Sequence, residues 1–329
     1  MENIKHQCIS VNGINMHVAE IGEGPAVLFL HGFPELWYSW RRQMLYLASK
    51  GYRAIAPDLR GFGDTDAPPN ATTYTAFHIV GDLVALLDSL GLDKVFLVGH
   101  DWGALMAWYM TLFQPDRIKA LINMSCAYRY FDPKNPSKKP IEEMRETFGN
   151  DYYICRFQAA GEVEEVFGRF DTAELVKAYL SNRDTRPASI PKGCSKYVVQ
   201  FFFFLSKYFP QLNPKPEWLT PDDLNYYANK FNKTGFSGGL NFYRCIDLNW
   251  ELSAPWREAQ IQVPVKFLVG NQDLAYHMPG IQDYIHNGGF KKDIPGLQEV
   301  VVIPGAAHSI HQEQADVCSA HIHDFISKF

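Results

Sequence analysis

The stretch FLVGHDWGAL, Phe96 to Leu105, restricts the fold of this chain more than any other segment. Val95-Phe96-Leu97-Val98 is a short apolar run of the kind that forms a buried strand, and small residues suited to a helix start follow it. Between them stands Gly99-His100-Asp101-Trp102-Gly103, with a glycine two positions either side of an aspartate. That spacing describes a sharp strand-to-helix turn which presents its middle side chain at the end of the strand. With serine in the middle, G-x-S-x-G, the turn carries a nucleophile. Here aspartate takes the serine's place, and whether it is a disabled nucleophile or a different one decides the chemistry.

The flanking pattern supplies a sheet for that turn to stand on. CISVNGINMHVAE reads as two alternating runs joined by Asn12-Gly13, a pair suited to a type I′ hairpin. Apolar strands are expected at Ala26 to Leu30, Arg53 to Ala56, Lys94 to Val98 and Ile118 to Met124. Helices are expected around Trp40 to Ser49 and Tyr74 to Leu90, the latter with Phe77, Val80, Val84 and Leu87 on one side. This alternation predicts a mostly parallel sheet covered by helices on both faces, an α/β fold. From 130 to 250 the strand signal stops and aromatic, amphipathic helical stretches replace it. Strands resume at Val265 to Val269 and Val300 to Ile303, and a helix from Ala315 to Phe329 closes the chain. The expected organisation is a discontinuous core, 1–129 with 251–329, interrupted by a helical cap at 130–250. Ligands of open α/β sheets bind at the carboxyl ends of the strands, so such a cap would roof the site.

Composition narrows the function classes. With 329 residues, a net charge of −5 and no basic block interleaved with aromatics, a nucleic-acid surface is not expected. The start MENIKHQCISVNG lacks the apolar core of a signal peptide, and the apolar run Phe201 to Leu205 is too short to span a bilayer. Six scattered cysteines show neither disulfide-framework nor metal spacing, which fits reduced thiols in the cytoplasm. The terminal Ser327-Lys328-Phe329 differs from the peroxisomal S-K-L in its last residue. Gly61-Phe62-Gly63 is not a phosphate loop, because no Lys-Ser/Thr follows it.

Two further residues fall after strands in the order nucleophile, acid, histidine. Asp273 follows VKFLVG, and His308 follows EVVVIP. That order matches the α/β-hydrolase arrangement. A serine attacking saturated carbon would leave an ether that water cannot clear. A carboxylate attacking the same carbon leaves an ester, which water can hydrolyse. Asp101 is therefore read as a different nucleophile. His308 would activate the hydrolytic water, and Asp273 would orient its ring. The backbone N–H groups of Trp102 and of Phe33, in the early loop His31-Gly32-Phe33-Pro34, are the expected oxyanion donors. Alkyl halides and epoxides both suit such a nucleophile. An epoxide additionally needs an acid for its alkoxide, and a neutral phenol qualifies.

The segments HGFPELWYSWRRQM, GHDWGA, DYYICRFQAAGEVE, GFSGGLNFYR and GAAH together resemble the soluble epoxide hydrolases of the α/β-hydrolase fold, most closely those of plants, along essentially the whole chain. The resemblance implies that Tyr153, four residues before Phe157-Gln158, and Tyr243, just before Arg244, bind and protonate the epoxide oxygen, with Tyr152 a one-residue alternative to Tyr153. It also implies that Glu35 and His100 support the water, and that neither cofactor nor metal is used. The expected partners are a small lipophilic epoxide and water, with a monomer and a homodimer both open. The chain departs from relatives at Gln272 and at Ser309, where aromatics are common. Two alternatives stay open: a haloalkane or haloacetate dehalogenase, which would need Trp or Asn halide donors, and a weakly catalytic receptor that holds a ligand under the cap.

Overall fold

A computed structural model describes residues 3–133, 135–190 and 216–329. The aromatic run Phe201 to Leu205 lies outside the described residues. Eight strands form one sheet: β1 (Lys5–Val11), β2 (Ile14–Ile21), β3 (Ala26–Leu30), β4 (Arg53–Pro57), β5 (Val95–His100), β6 (Ile118–Met124), β7 (Val265–Gly270) and β8 (Leu297–Ile303). Their spatial order is β1-β2-β4-β3-β5-β6-β7-β8. The pairings β1–β2 and β2–β4 are antiparallel, and the rest are parallel. Asn12 and Gly13 both have positive φ, 44° and 80°, the backbone a type I′ turn requires.

Every residue of β3, β5 and β7 is buried, so these strands carry side chains into the interior on both faces. This explains their unbroken apolar runs, since each fully buried aliphatic or phenyl side chain contributes roughly 1.5–3 kcal/mol. Helices α1 (Arg41–Ser49), α2 (Ala76–Ser89) and α3 (Trp102–Phe113) belong to the first half of the sheet. Between β6 and β7 come α4 (Pro140–Phe148), α5 (Tyr153–Phe157), α6 (Glu162–Phe167), α7 (Thr172–Leu180), α8 (Pro221–Thr234), α9 (Ser237–Arg244) and α10 (Ile246–Leu252). The second half adds α11 (Ile281–His286), α12 (Gly289–Asp293), α13 (Ile310–Glu313) and α14 (Ala315–Ile326), of which α14 packs on α1. No helix among the described residues is long and apolar enough to cross a membrane.

Two expectations need correction. The buried face of α2 is Ile79, Val80, Leu83, Leu86 and Leu87, with Val84 packed at its edge, so Val80, Val84 and Leu87 of the expected set meet the core and Phe77, 36% exposed, does not. Phe77 turns sideways because it stacks on Phe113 of α3, 4.7 Å between centroids, and meets Trp256. The last strand starts at Leu297, ahead of the expected Val300.

The chain folds around the close approach of β3 to the start of α3. A methyl on Gly103 would lie 2.1 Å from the Leu30 carbonyl oxygen, so only glycine allows α3 to rest on that strand. Gly103→Ala should therefore lower stability by about 1–3 kcal/mol, read as a lower urea midpoint at unchanged slope. Gly168→Ala, whose methyl would meet nothing nearer than 3.4 Å, is the control expected to unfold like the parent.

Candidate active site

The turn after β5 holds Asp101 at φ 52° and ψ −120°, outside the regions a non-glycine residue ordinarily occupies. Such a backbone costs on the order of 1–3 kcal/mol and persists only where its surroundings dictate it. They do so here through the His31-Gly32-Phe33 loop. The Phe33 N–H donates to Asp101 Oδ1 at 2.7 Å, and a methyl on Gly32 would strike that same oxygen at 2.4 Å. His31 supports the loop from beneath. Its Nε2 accepts the Leu59 N–H at 3.0 Å, which leaves Nδ1–H to donate to the Gly32 carbonyl at 2.9 Å. Burial lowers the pKa of this ring, keeping it neutral as that pattern requires. The N–H of Trp102 opens α3 immediately after Asp101, where a helix leaves its first donors without internal acceptors.

The second oxygen of Asp101, Oδ2, faces His308 Nε2 at 3.4 Å, and His308 Nδ1 lies 2.8 Å from Asp273 Oδ1. The imidazole thus stands between two carboxylates. Burial works against its charged form, but Asp273 and Asp101 outweigh burial and raise the His308 pKa well above its ordinary value. Burial likewise pushes the Asp273 carboxyl up, and His308 more than reverses this, leaving it lowered. Asp273 Oδ1 also accepts the Ala275 N–H at 2.8 Å.

Behind the histidine runs a second chain of polar groups. The His308 carbonyl accepts from His100 Nε2 at 2.7 Å and from the Ser125 hydroxyl at 3.2 Å. His100 Nδ1 faces Glu35 Oε2 at 3.1 Å, and the same oxygen accepts the Gly32 N–H at 2.8 Å. Glu35 therefore links the Phe33 loop to the backbone of His308. Burial opposes a charged Glu35, yet His100, His311 and the Gly32 N–H hold its carboxyl far below the usual range. His311 was not legible as part of this group: its ring packs between Trp40 and His100, 4.3 Å from each. Donor atoms of Glu35, His100 and His311 all lie within 4.8 Å of one another. Both nitrogens of His100 are engaged, with Glu35 and the His308 carbonyl, whereas the two ring nitrogens of His311 are buried without a hydrogen-bond partner, Nε2 lying 3.4 Å from Glu35 Oε1. Ser125, at φ 69°, was missed as well; its only sequence signal is its place at the end of β6.

The helices between β6 and β7 bring the two tyrosines together. Tyr153 opens α5 and Tyr243 lies near the end of α9, with ring centroids 6.2 Å apart. Tyr243 packs edge-on against Phe33 at 5.6 Å and Trp102 at 4.9 Å, the two residues whose backbones flank Asp101. Tyr152 packs edge-on to Tyr153 at 4.9 Å and against Phe148 at 4.6 Å, and its hydroxyl points at Met278 Sδ. Burial raises the pKa of Tyr243 well above the ordinary phenol value, and the Asp101 charge raises it further; Tyr153 is raised by burial, by Tyr152 and by Tyr243. Both are therefore neutral donors at neutral pH. The motif residues around them act as braces: Gln158 Nε2 donates to the Tyr243 carbonyl at 3.0 Å, and Arg244 joins the Phe157 carbonyl to the Glu164 carboxylate.

Residues 25–315 match the family model described as the alpha/beta hydrolase fold. The chain is 59% identical to "Epoxide hydrolase 3" of Siraitia grosvenorii over 329 residues, all of both chains. Among solved structures it is similar to an epoxide hydrolase from Vigna radiata, with a TM-score of 0.91 and 52% identity over 100% of this chain and 99% of that one. It is also similar to potato epoxide hydrolase I, with a TM-score of 0.90 and 50% identity over 99% of this chain and 100% of the other. With a carboxylate at the elbow, a histidine between two carboxylates and relatives of this identity, the chain belongs to the epoxide hydrolases of the α/β-hydrolase fold.

Proposed function

We propose that this epoxide hydrolase converts lipophilic epoxides to vicinal diols through a covalent ester on Asp101, beneath a cap formed by residues 130–250. The observation that carries this reading is the division of labour within one carboxylate. Asp101 Oδ1 is anchored by the Phe33 N–H, while Oδ2 is turned toward His308 Nε2, 3.4 Å away. In the first step Oδ2 attacks a ring carbon, the C–O bond of the epoxide breaks, and a tyrosine hydroxyl passes its proton to the departing oxygen. The proton on His308 restores the phenol. In the second step the now neutral His308 takes a proton from water, and the hydroxide adds to the Asp101 carbonyl carbon. The N–H groups of Phe33 and Trp102 hold the resulting oxyanion, an arrangement in which one donor is typically worth about 10²–10³ in rate. Collapse releases the diol and regenerates the carboxylate, with His308 again protonated.

The same geometry supports roles for the remaining residues. Asp273 orients His308, and Glu35 with His100 fixes the backbone of His308 relative to the oxyanion loop. The aromatic wall of Phe33, Trp102, Phe157, Tyr179 and Phe236 favours an apolar substrate. The buried phenol of Tyr243 and the half-buried one of Tyr153 favour an epoxide over a halide, whose departure needs no acid.

Asp101→Ala is expected to abolish turnover, and His308→Gln to accumulate an enzyme whose Asp101 peptide carries the mass of one substrate. In a single turnover of the parent enzyme in ¹⁸O-water, label should enter the Asp101 peptide and be missing from the diol. A labelled diol with an unlabelled peptide would mean direct attack by water. Tyr153→Phe and Tyr243→Phe should each slow ester formation by about 10²–10⁴ while changing ester hydrolysis far less.

The charges around His308 give a pH prediction. Asp101 and Asp273 raise its pKa, and His100 and His311 are the neighbouring rings. Esterification removes the Asp101 charge and leaves Asp273, so the His308 pKa in the alkyl-enzyme should fall below that of the free enzyme. Hydrolysis of the ester requires the neutral ring and should rise with pH to a plateau. Its midpoint, from stopped-flow kinetics, should lie below the His308 midpoint of the free enzyme measured by NMR. Equal midpoints would contradict the scheme.

A further inference from the structure

Gln272 and Ser309, each next to a member of the Asp273–His308 pair, contact the same short segment at the end of α7. The Ser309 hydroxyl donates to the Leu180 carbonyl at 2.8 Å, and both residues are buried. Three residues on, Arg183 reaches the other residue: its Nε and Nη2 donate to Gln272 Oε1 at 3.1 Å and 2.8 Å. The same guanidinium also donates to the Gly305 carbonyl and pairs with the Glu313 carboxylate. These partners belong to the two loops that carry the acid and the base. Gln272 immediately precedes Asp273, and Gly305 opens the turn that ends at His308. Glu313 closes the circuit, because its other oxygen accepts the Ala307 N–H at 2.7 Å, one residue before His308.

We infer that Arg183 is a positioning residue for the Asp273–His308 pair, holding both loops in register from the helical insertion through Gln272, Gly305 and Glu313. A planar fork with five donors is the side chain that can serve a carboxylate, an amide oxygen and a carbonyl at once; an ammonium offers three donors from one point. The two loops are tied to the end of α7 by hydrogen bonds from one guanidinium and one hydroxyl. The Asp273–His308 contact is the one the second half-reaction needs, whereas attack by Asp101 does not use His308 as a base. Loss of Arg183 should therefore fall on ester hydrolysis and spare ester formation. This inference rests on the two-step reading above.

The test is single-turnover kinetics of the full chain with styrene oxide as probe, following ester formation and decay by tryptophan fluorescence and by intact-protein mass. Arg183→Met should slow decay by about 10- to 100-fold, the range expected when a remote change misplaces a reacting group, with ester formation within about twofold of the parent. Arg183→Lys should recover part of the loss, and Gln272→Leu should reproduce a smaller share of it. Thermal unfolding of each variant is measured alongside, so that a variant that does not fold is recognised and Gln272→Leu then decides the matter. Equal slowing of both steps, or unchanged decay, would overturn the positioning role. If no ester forms in the parent or in His308→Gln, it is the two-step reading that fails, and the outcome is distinct.

Discussion

The backbone at Asp101 holds the two oxygens of one carboxylate apart, Oδ1 against the Phe33 N–H and Oδ2 toward His308, the division that the proposed two-step reaction depends on. With φ 52° and ψ −120°, the side chain is thrown up from the end of β5 into reach of the Phe33 N–H. That backbone is sustained by two close approaches that no side chain could share, Gly32 against the Asp101 carboxylate and Gly103 against the Leu30 carbonyl. The strain at one residue is thereby offset by the packing of β3 and α3, which are buried throughout most of their length. The elbow is consequently a property of the whole central sheet, and its chemistry is inseparable from the fold.

Charge ties the two halves of the proposed reaction together. In the resting site Asp101 raises the pKa of His308 and, after burial, that of Tyr243. Once Asp101 becomes an ester, both influences vanish in the same event. The phenol becomes a better acid as the epoxide oxygen comes to need a proton, and the imidazole becomes readier to act as a base as water becomes the next reactant. A serine at the same position would be neutral before attack and could not switch its neighbours in this way. The substitution at the elbow thus changes the nucleophile and the electrostatics of its partners together.

Much of this was readable from local pattern. The strand-to-helix turn, the order Asp101, Asp273, His308 and the hairpin at Asn12-Gly13 are each set by residues adjacent in sequence, so composition and period expose them. The face of α2 was misjudged at Phe77, which packs on Phe113 of α3, a partner no helical period reveals. The same holds for His311, whose neighbours Glu35 and His100 come from the loop after β3 and from the end of β5. Arg183 and Glu313, separated by 130 positions, gave no sequence signal of their pairing. What escapes the sequence in each case is a side-chain contact between elements that are distant along the chain.

The insertion is also keyed to the core by buried polar contacts, which constrain where its tyrosines can stand. Asp223 of α8 accepts from Arg41 at 2.8 Å and from the Tyr38 hydroxyl at 2.9 Å. One helical turn on, the Tyr227 hydroxyl meets Ser39 at 2.8 Å and Gln312 at 3.1 Å, and Gln312 continues to Glu35 at 3.3 Å. A line of hydrogen bonds therefore runs from α8 to the carboxylate that braces His100 and the Phe33 loop. A slide of α8 would have to repack close-packed side chains as well as break these polar contacts. Buried hydrogen bonds do not tolerate it, since each broken partner is left unsatisfied at about 1–3 kcal/mol. An insertion held in this way delivers its phenols to a fixed point above Asp101, and that fixed point is what an acid needs if it is to meet an oxygen whose position is set by the opposite wall of the site.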